Sequence, residues 1–491
     1  MKTPFLPGLR AALAPMGSRV QSTVASLAPA TLCQIEQRFA GALDPSLLQK
    51  PKAKAHSRER IFSLTRTFWG WIWQVLQGPT SCREVVRQVQ ALFAVHARGP
   101  VHHGTGAYCR SRSKRPLALT EKAFLSSATQ AEKRARAGRL LHGRPLKIVD
   151  GTSLRLADTP ENRAVFPPCR NQHSRLGFPL VKMVAIFSAA SGAILGRAVA
   201  RFEQSENRLV KSLREVLQKG DILIGDRHFG YYALAAWVQG FSADLLARVP
   251  TRSRHVDFRK AFQRLGPGDA LFIWRKPKEA ATYFSPAEWA ALPEQITVRV
   301  LRRAVRIRGF RTREITLVTT LLDPQLYPAA ELLAAYLRRW RMELCLDDLK
   351  TTLGMEMLSA RSPRQVQKEI LAFLTAHNLV RWLMVNAAAA GELERLSFKG
   401  TLDGFRQWSI ALALLRGKRK ANRRARLWRE FLAVLAADEV PWRPGRREPR
   451  AVKKKSKYPL LQRPRRLYVE PLSRTKRRVR ANAMKTAGNL K

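Results

Sequence analysis

The sequence has few acidic residues for its length. Among its 491 residues are 36 aspartates and glutamates but 89 lysines and arginines, which gives a formal net charge of +53. Such a charge repels itself in a compact chain, so we expect a polyanionic partner to compensate it. Nucleic acid is the first candidate, and an anionic membrane surface is the second. The imbalance excludes an ordinary cytosolic metabolic enzyme.

Clean apolar runs and paired cysteines are also missing. The best apolar stretch, Leu371–Ala390, is interrupted by His377, Asn378 and Arg381, so it does not read as a membrane span. The N-terminus has no adequate apolar run ahead of a cleavage site, which argues against secretion. The five cysteines include no CxxC pair and no Cys/His pair at zinc-ligand spacing. We therefore expect a reduced, cytoplasmic protein that handles DNA or RNA.

The hydrophobic fraction of 45% is that of a globular protein, and the length allows roughly two to four domains. Residues 1–140 are basic, and Thr31–Leu43 and Ser81–Val95 carry apolar residues at helical spacing. We predict a helical DNA-binding region here. Three alternating tryptophans within it are interpreted as core rather than as a surface for base stacking: Trp69, Trp71 and Trp73.

Residues 141–249 show the pattern of a mixed α/β sheet. Short apolar or alternating runs predict strands, two of which are joined by a hairpin turn, and one helix candidate ends at Gly220. The order strand, hairpin strand, strand, helix, strand is that of an RNase H-like mixed sheet. The segments are Leu146–Asp150 continued by Thr152–Leu156, Leu180–Phe187, Ala193–Ala200, the helix Glu206–Lys219, and Asp221–Asp226.

Short β-like pieces continue through residues 250–312, which we interpret as a β-rich insertion into the catalytic core. The sheet pattern resumes at Glu314–Leu322 and a long helix is predicted over Ala329–Lys350, so residues 313–390 form the second part of the core. Residues 391–491 are helical and then strongly basic. The last 76 residues hold 26 lysines and arginines against 5 acids, which predicts DNA contact or a role in dimerisation, although a solvated tail is common for such runs. Further helices are predicted over Gln365–Ala390 and Gly404–Leu415.

Three carboxylates lie where the predicted strands and the long helix meet. Asp150 ends the first strand, Asp226 ends a later strand, and Glu343 lies on the helix after the final strand. Because those two strands are neighbours in an RNase H-like sheet, Asp150 and Asp226 can share a metal ion, and the helix brings Glu343 to the same edge. Hard oxygen ligands suit two Mg²⁺ or Mn²⁺ ions that activate an attacking oxygen and stabilise the leaving one. Each residue alone is more often a turn residue or a helix cap, but the set predicts phosphoryl transfer.

The long helix carries polar residues with the spacing Y-x2-R-x3-E-x6-K. At about 100° per residue, Tyr336, Glu343 and Lys350 share one face, and Arg339 lies about 60° from Tyr336. A carboxylate flanked by cations and a phenol suits a metal ligand beside donors for DNA phosphates. The alternative is a stripe of ion pairs within the helix, which has no need of the tyrosine.

Weaker candidates lie next to these positions. Asp347 and Asp348 compete with Glu343 as the third ligand, although pairing with arginine or lysine is the favoured interpretation. His228 follows Asp226 by two residues and is a candidate to orient water or phosphate, while packing at the sheet end is the commoner role. Candidate DNA contacts ahead of the hairpin are Asn162 and the basic loop Arg170–Arg175.

From about residue 146 to 390 the sequence resembles the bacterial insertion-sequence DDE transposases that carry the YREK signature, the IS-four type. The resemblance rests on IVDGT at Ile148–Thr152, IGDRHFG at Ile224–Gly230 and YLRRWRMELCLDDLK at Tyr336–Lys350. The helix motif is specific to this group, whereas VDGT alone is not.

The resemblance implies a DNA transposase. Members of this group nick the ends of their element, pass through a DNA hairpin and join the 3′-hydroxyl ends to target DNA, using two Mg²⁺ or Mn²⁺ ions per site. The implied partners are double-stranded DNA, as terminal inverted repeats and target, and a second copy of the chain in a synaptic homodimer. The implied location is the bacterial cytoplasm, at the nucleoid when bound to DNA. The implied catalytic and metal-binding triad is Asp150, Asp226 and Glu343, and the implied DNA-binding residues are Tyr336, Arg339 and Lys350.

The sequence departs from the family in one respect. Some members hold a flipped base with a tryptophan on the strand before the YREK helix, whereas this strand, Ile315–Val318, has no aromatic residue. Trp274 and Trp289 are candidates to replace it, but core packing is the commoner role of both, so base flipping stays unassigned.

Two alternatives to an active transposase are open. A catalytically inactive relative could repress the element at its ends, but the complete triad and intact YREK spacing count against decay. The second alternative is another RNase H-like nuclease, such as a junction resolvase. The insertion and the long basic termini count against it.

Overall fold

The computed structural model describes residues 39, 41–48, 61–78, 80–95, 99–135, 141–169, 177–250, 256–305, 314–388, 393–413 and 421–440. Within them the chain is a mixed α/β protein built on one ten-stranded sheet with helices on both faces. The strands are β1 (Leu146–Leu156), β2 (Leu180–Ser188), β3 (Ile194–Arg201), β4 (Ile222–Gly225), β5 (Asp244–Arg248), β6 (Gln263–Gly266), β7 (Asp269–Arg275), β8 (Gln295–Ala304), β9 (Glu314–Thr319) and β10 (Met357–Leu358). The α-helices are α1 (Leu64–Leu76), α2 (Cys82–Val95), α3 (Gly106–Lys114), α4 (Leu117–Arg134), α5 (Pro160–Val165), α6 (Glu206–Lys211), α7 (Tyr232–Gln239), α8 (Pro286–Ala290), α9 (Ala329–Leu337), α10 (Arg339–Asp347), α11 (Pro363–Ala387), α12 (Phe398–Ala413) and α13 (Ala421–Ala437).

The strand order across the sheet is β3-β2-β1-β4-β5-β9-β8-β7-β6, and β10 pairs with the far end of β1. β1, β4 and β5 run parallel to one another, while β2 and β3 form an antiparallel hairpin beside β1. The predicted hairpin is therefore confirmed. Its turn includes Gly192 at a φ of 72°, a left-handed conformation that glycine adopts without a steric cost.

The N-terminal helices pack on one face of the sheet together with α11. Ser63 begins α1, because its side chain accepts a hydrogen bond from the backbone N–H of Arg66 at 3.2 Å. The three tryptophans of α1 are at most 7% exposed, so their predicted core role is confirmed. Helix α2 confirms the helix predicted over Ser81–Val95, whereas most of Thr31–Leu43 and all of residues 441–491 lie outside the described residues.

The β-rich segment after β5 extends the central sheet. β7 pairs with β8, β8 pairs with β9, and β9 in turn pairs with β5, all in antiparallel register. In the described residues the strands of this segment are thus continuous with the strands that carry Asp150 and Asp226. β8, with ten residues, pairs with β7 along one side and with β9 along the other, and so joins the two parts of the sheet.

The helix predicted over Glu206–Lys219 is shorter in the structure. α6 ends at Lys211, and a short 3-10 turn follows at Arg214–Val216. The chain turns early because the Lys147 ammonium, on β1, donates both to the carbonyl of Val216 at 2.6 Å and to Asp221 at 2.5 Å. A regular helix through Lys219 would break this buried arrangement.

The long helix predicted over Ala329–Lys350 is divided into three pieces. At Arg338 the backbone N–H bonds to the carbonyl of Ala335, three residues back, which ends α9 and starts α10. After α10 the chain forms a π-helix at Asp348–Thr352, where the N–H of Leu353 reaches the carbonyl of Asp348, five residues back. The projection of 100° per residue therefore fails at Lys350, because a π-helix has a wider turn than an α-helix.

Helix α11 is the central helix of the core. It is long and apolar enough to cross a membrane by length and composition, yet 83% of its most apolar window is buried inside the protein. Asn378 shows how it is held: its amide accepts from the N–H of Ile194 at 2.8 Å and donates to the carbonyl of the same residue at 3.0 Å. The apolar stretch noted in the sequence thus packs against the start of β3.

Candidate active site

Asp150 and Asp226 lie at the same edge of two paired parallel strands. The pairing of β1 with β4 ends at Ile148 and Ile224, and each aspartate follows two residues later. Asp226 comes directly after β4, as predicted. Asp150 does not end its strand, because β1 continues to Leu156 by pairing with β2 and then with β10. Its position at the edge is set by the end of β4 instead.

The carboxyl group of Asp150 is largely enclosed, with a side-chain exposure of 17%. Its Oδ1 accepts a hydrogen bond from the backbone N–H of Gly151 at 2.8 Å. Burial raises the pKa of Asp150 to about 6, and the negative charges of Asp226 and Glu343 add to this, while Gly151 and Arg339 oppose it. Asp226 and Glu343 therefore lie close enough to Asp150 to interact with it electrostatically.

Asp226 is held by the turn that follows it. Its Oδ1 accepts from the backbone N–H of His228 at 2.8 Å, and the side chain of His228 is exposed. Gly230 closes the turn against β5, where a Cβ atom would lie 2.4 Å from the carbonyl oxygen of Arg248. The IGDRHFG segment therefore needs glycine at its last position, because the neighbouring backbone leaves no room for a side chain.

Arg339 links the YREK helix to the strand carboxylates. Its Nη2 lies 2.8 Å from Oε1 of Glu343, and its Nη1 lies 3.8 Å from Oδ2 of Asp150. Tyr336 is 1% exposed, and the Arg339 guanidinium lies 5.9 Å from the centre of its ring. Burial raises the pKa of the Tyr336 phenol. Lys350 lies in the π-helix, and among the described residues it makes no hydrogen bond or ion pair with the other three positions. The structure therefore brings together Tyr336, Arg339 and Glu343.

The competing carboxylates differ in their surroundings. Asp348 faces Arg381 of α11, with 3.8 Å between Oδ2 and Nη2, and Asp347 is exposed.

Asn162, a predicted DNA contact, is fully buried, and its amide donates to the carbonyls of Ala157 and Ala360 at 3.0 and 2.9 Å. Its expected DNA contact is therefore wrong, since the side chain joins two segments of the fold. The basic loop Arg170–Arg175 lies outside the described residues.

A cavity of about 550 Å³ adjoins the turn after Asp226. Trp289 lies in its wall, whereas Trp274 is not among the lining residues. The other aromatic residues of the wall are not predicted from the sequence, although two of them, Tyr231 and Tyr232, directly follow the IGDRHFG segment. The polar and aromatic residues of the wall are Lys182, Ser205, Glu206, Asn207, His228, Tyr231, Tyr232, Glu279, Tyr283 and Trp289.

The donor set fits a divalent cation. A largely enclosed aspartate with two further carboxylates near it forms a negatively charged recess of hard oxygen ligands, which suits Mg²⁺ or Mn²⁺. In the part of the chain that is described, no three histidine, cysteine, aspartate or glutamate side chains are gathered as closely as a bound ion requires. The carboxylate of Glu343 instead points to Arg339, a cation that balances the recess.

Comparison with known proteins finds transposases. The family described as Transposase DDE domain matches residues 141–379, which include both aspartates and Glu343. The transposase InsG of the insertion sequence element IS4 from Escherichia coli (strain K12) is 29% identical over 326 residues, 65% of this chain and 70% of that protein. A solved piggyBac transposase synaptic complex with hairpin DNA aligns over 85% of each chain at 8% identity, with a TM-score of only 0.38.

The matched domain begins just before β1 and ends within α11, so it covers the strands and the helix that place the carboxylates. Proteins of this family bind DNA and depend on divalent metal ions. The match to the transposase DDE domain and the identity to the IS4 transposase together support a DDE transposase of the IS4 type, an enzyme that cleaves DNA strands and transfers them.

Proposed function

We propose that this transposase cleaves the ends of its own insertion sequence and joins them to target DNA with two Mg²⁺ or Mn²⁺ ions held by Asp150, Asp226 and Glu343. The observation that supports this most directly is the enclosed carboxyl group of Asp150, whose pKa rises to about 6 beside the other two carboxylates. A recess with excess negative charge is what a pair of divalent ions would neutralise.

The sheet supports an RNase H-like core. The order β3-β2-β1-β4-β5, with β2 antiparallel to its neighbours and the aspartates at the β1 and β4 edge, fits that topology. We assign residues 141–249 and 313–390 to this core and residues 250–312 to a β-rich insertion that adds strands to its sheet. Residues 1–140 and 391–491 are assigned to DNA contact, the second also to dimerisation.

The side chains around the carboxylates suit a phosphate in the site. Bound ions would polarise the phosphoryl group and activate the attacking oxygen of water or of a 3′-hydroxyl. Arg339 supplies a planar fork of N–H donors to a phosphate, Tyr336 a hydroxyl, and Lys350 a mobile positive charge. Their task is to fix the scissile phosphate against the carboxylates, since positioning and electrostatics dominate this chemistry.

A hairpin intermediate requires one base to leave the duplex near the site. The cavity next to His228 has the size and the aromatic walls to receive such a base, and Trp289 is the tryptophan that lines it. We therefore favour Trp289 over Trp274 as the residue against which an unstacked base packs.

The test is Mg²⁺-dependent cleavage of labelled DNA that carries the terminal inverted repeats of the element. Wild-type protein should give nicked and hairpin products, and Asp150→Ala, Asp226→Ala and Glu343→Gln should abolish them while end binding stays largely intact. The matched control is Glu356→Gln, an exposed carboxylate 3.8 Å from Arg155, which should cleave normally. Binding without cleavage by the wild type, with Mg²⁺ and with Mn²⁺, would instead indicate an inactive relative that represses at the ends.

A further inference from the structure

Arg339 lies between two of the side chains that we propose as metal ligands. Its guanidinium donates to Glu343 at 2.8 Å and lies 3.8 Å from Asp150, and its side chain is only 10% exposed. Glu343 is half exposed, with a side-chain exposure of 50%, so it has room to turn elsewhere. The cation thus occupies the recess that a divalent ion would use.

The guanidinium is incompletely bonded in this position. Its Nε is buried and has no hydrogen-bond partner among the described residues. The rings of Tyr336 and Trp340 lie 5.9 and 5.6 Å from its Cζ, and the Tyr336 hydroxyl also shares a hydrogen bond with the guanidinium. Arginine carries five N–H donors in a rigid fork that matches the oxygens of a phosphate. A phosphate would therefore bond donors that the carboxylates leave unused.

We propose that Arg339 exchanges partners during binding, from the carboxylates of Glu343 and Asp150 to a DNA phosphate, and that DNA and metal binding are thereby coupled. This inference rests on the proposed metal site. A divalent ion and a guanidinium repel each other when they share the same carboxylates. DNA that draws the guanidinium away therefore opens the site to metal, and by thermodynamic linkage bound metal must strengthen DNA binding by the same factor.

The first measurement is a titration of the full chain with Mn²⁺ in the absence of DNA. Electron paramagnetic resonance of the free ion reports how much Mn²⁺ is bound. Arg339→Gln removes the competing charge and is expected to bind Mn²⁺ more tightly, by about 5- to 150-fold. Arg339→Lys keeps a cation and should fall between the two. The control is Arg259→Gln, which removes a largely exposed arginine paired with Asp257 and should match the wild type.

The second measurement repeats the titration with the terminal-repeat duplex bound. Wild-type affinity for Mn²⁺ should rise on DNA, and the rise should be markedly smaller in Arg339→Gln. The comparison of the wild type with and without DNA tests the coupling even if the variant folds poorly. Equal Mn²⁺ affinity of the wild type with and without DNA would overturn the coupling.

Failure of this inference differs from failure of the metal site itself. If Asp150→Asn and Glu343→Gln leave Mn²⁺ binding unchanged, the ligand assignment is wrong. If both variants lose Mn²⁺ while Arg339→Gln binds it as the wild type does, the ligands stand and only the exchange of partners is overturned.

Discussion

Arg299 and Asp269 form a buried two-contact ion pair between β8 and β7. Nε and Nη2 of Arg299 lie 2.8 and 2.6 Å from the two oxygens of Asp269, and both residues are less than 5% exposed. Nη1 of the same arginine donates to the carbonyl of Tyr327 at 2.7 Å. The pair therefore ties the added strands to the segment that leads into α9 and the YREK helix.

Removal of one member of this pair should destabilise the protein strongly. Asp269→Ala leaves a buried guanidinium without its counter-charge, so we expect the free energy of unfolding to fall by about 3–5 kcal/mol. Urea unfolding measures this. The control is Asp257→Ala, which breaks an exposed pair with Arg259 and should cost at most about 1 kcal/mol. Similar losses in both variants would contradict the importance of the buried pair.

Gly230 should tolerate no side chain. In Gly230→Ala the new Cβ atom would meet the carbonyl oxygen of Arg248 at 2.4 Å, and backbone of β5 cannot move aside cheaply. We expect a loss of stability of about 1–3 kcal/mol and reduced DNA cleavage, because the turn that holds Asp226 must shift. Thermal unfolding and the cleavage assay report the two effects.

The matched control for this change is Gly266→Ala in β6. A Cβ atom there meets no other atom within 4 Å, so stability should change by no more than about 0.5 kcal/mol and cleavage should be normal. If Gly230→Ala behaves like Gly266→Ala, the close approach to Arg248 does not constrain the turn.

Trp289 should act in hairpin formation rather than in the first nick. Stacking of a base on an aromatic ring is worth about 1–3 kcal/mol, so Trp289→Ala should slow the conversion of nicked DNA to hairpin by roughly 5- to 150-fold. Trp289→Phe should recover much of this rate. Time courses on labelled ends separate the two products. Trp274→Ala, which changes a tryptophan outside the cavity, should alter neither step, and equal defects in both alanine variants would refute the assignment.

Asp348 should make stability depend on pH. Burial raises the pKa of Asp348 to about 6, with Asp347 adding to the effect and Arg381 and Thr352 opposing it, whereas an unfolded aspartate titrates near 4. Between about pH 4 and pH 6 the folded chain binds a proton that the unfolded chain has released, so this group lowers the free energy of unfolding as pH rises.

The variant Asp348→Asn lacks this titration. Its stability relative to the wild type should therefore increase from about pH 4 to pH 7, by up to about 3 kcal/mol. Unfolding of both proteins at intervals across this range gives the difference directly. A stability difference that does not vary with pH would show that the Asp348 carboxyl is not shifted by burial.

Local patterns in the sequence predicted the hairpin strands and β4 well, because strand alternation and turn residues act over a few neighbours. They did not predict β5, a strand of five residues that lies between a helix and a loop. They also placed Asp150 at a strand end, whereas β1 continues past it. Strand ends depend on partners: β1 is prolonged by β2 and by β10, which lies about 200 residues later in the chain.

The helix that carries the YREK residues was also only partly predictable from local patterns. Its existence follows from helical spacing, but the break at Arg338 and the π-helix at Asp348–Thr352 depend on backbone bonds that no periodicity reveals. Likewise, the cavity beside His228 is assembled from segments between Lys182 and Trp289 that lie far apart in the chain. Only folding brings its walls together.

The sequence by itself determined the excess of basic charge, the strand and helix types around the carboxylates, and the residue set with its spacing, because these are properties of the chain and of short-range periodicity. The tertiary structure decided which of those residues meet. Arg339 reaches Asp150 across 189 positions of sequence and Glu343 across four, and only the second distance could be inferred from a helix. Contacts between distant segments depend on the packing of the whole sheet and its helices, which local patterns do not encode.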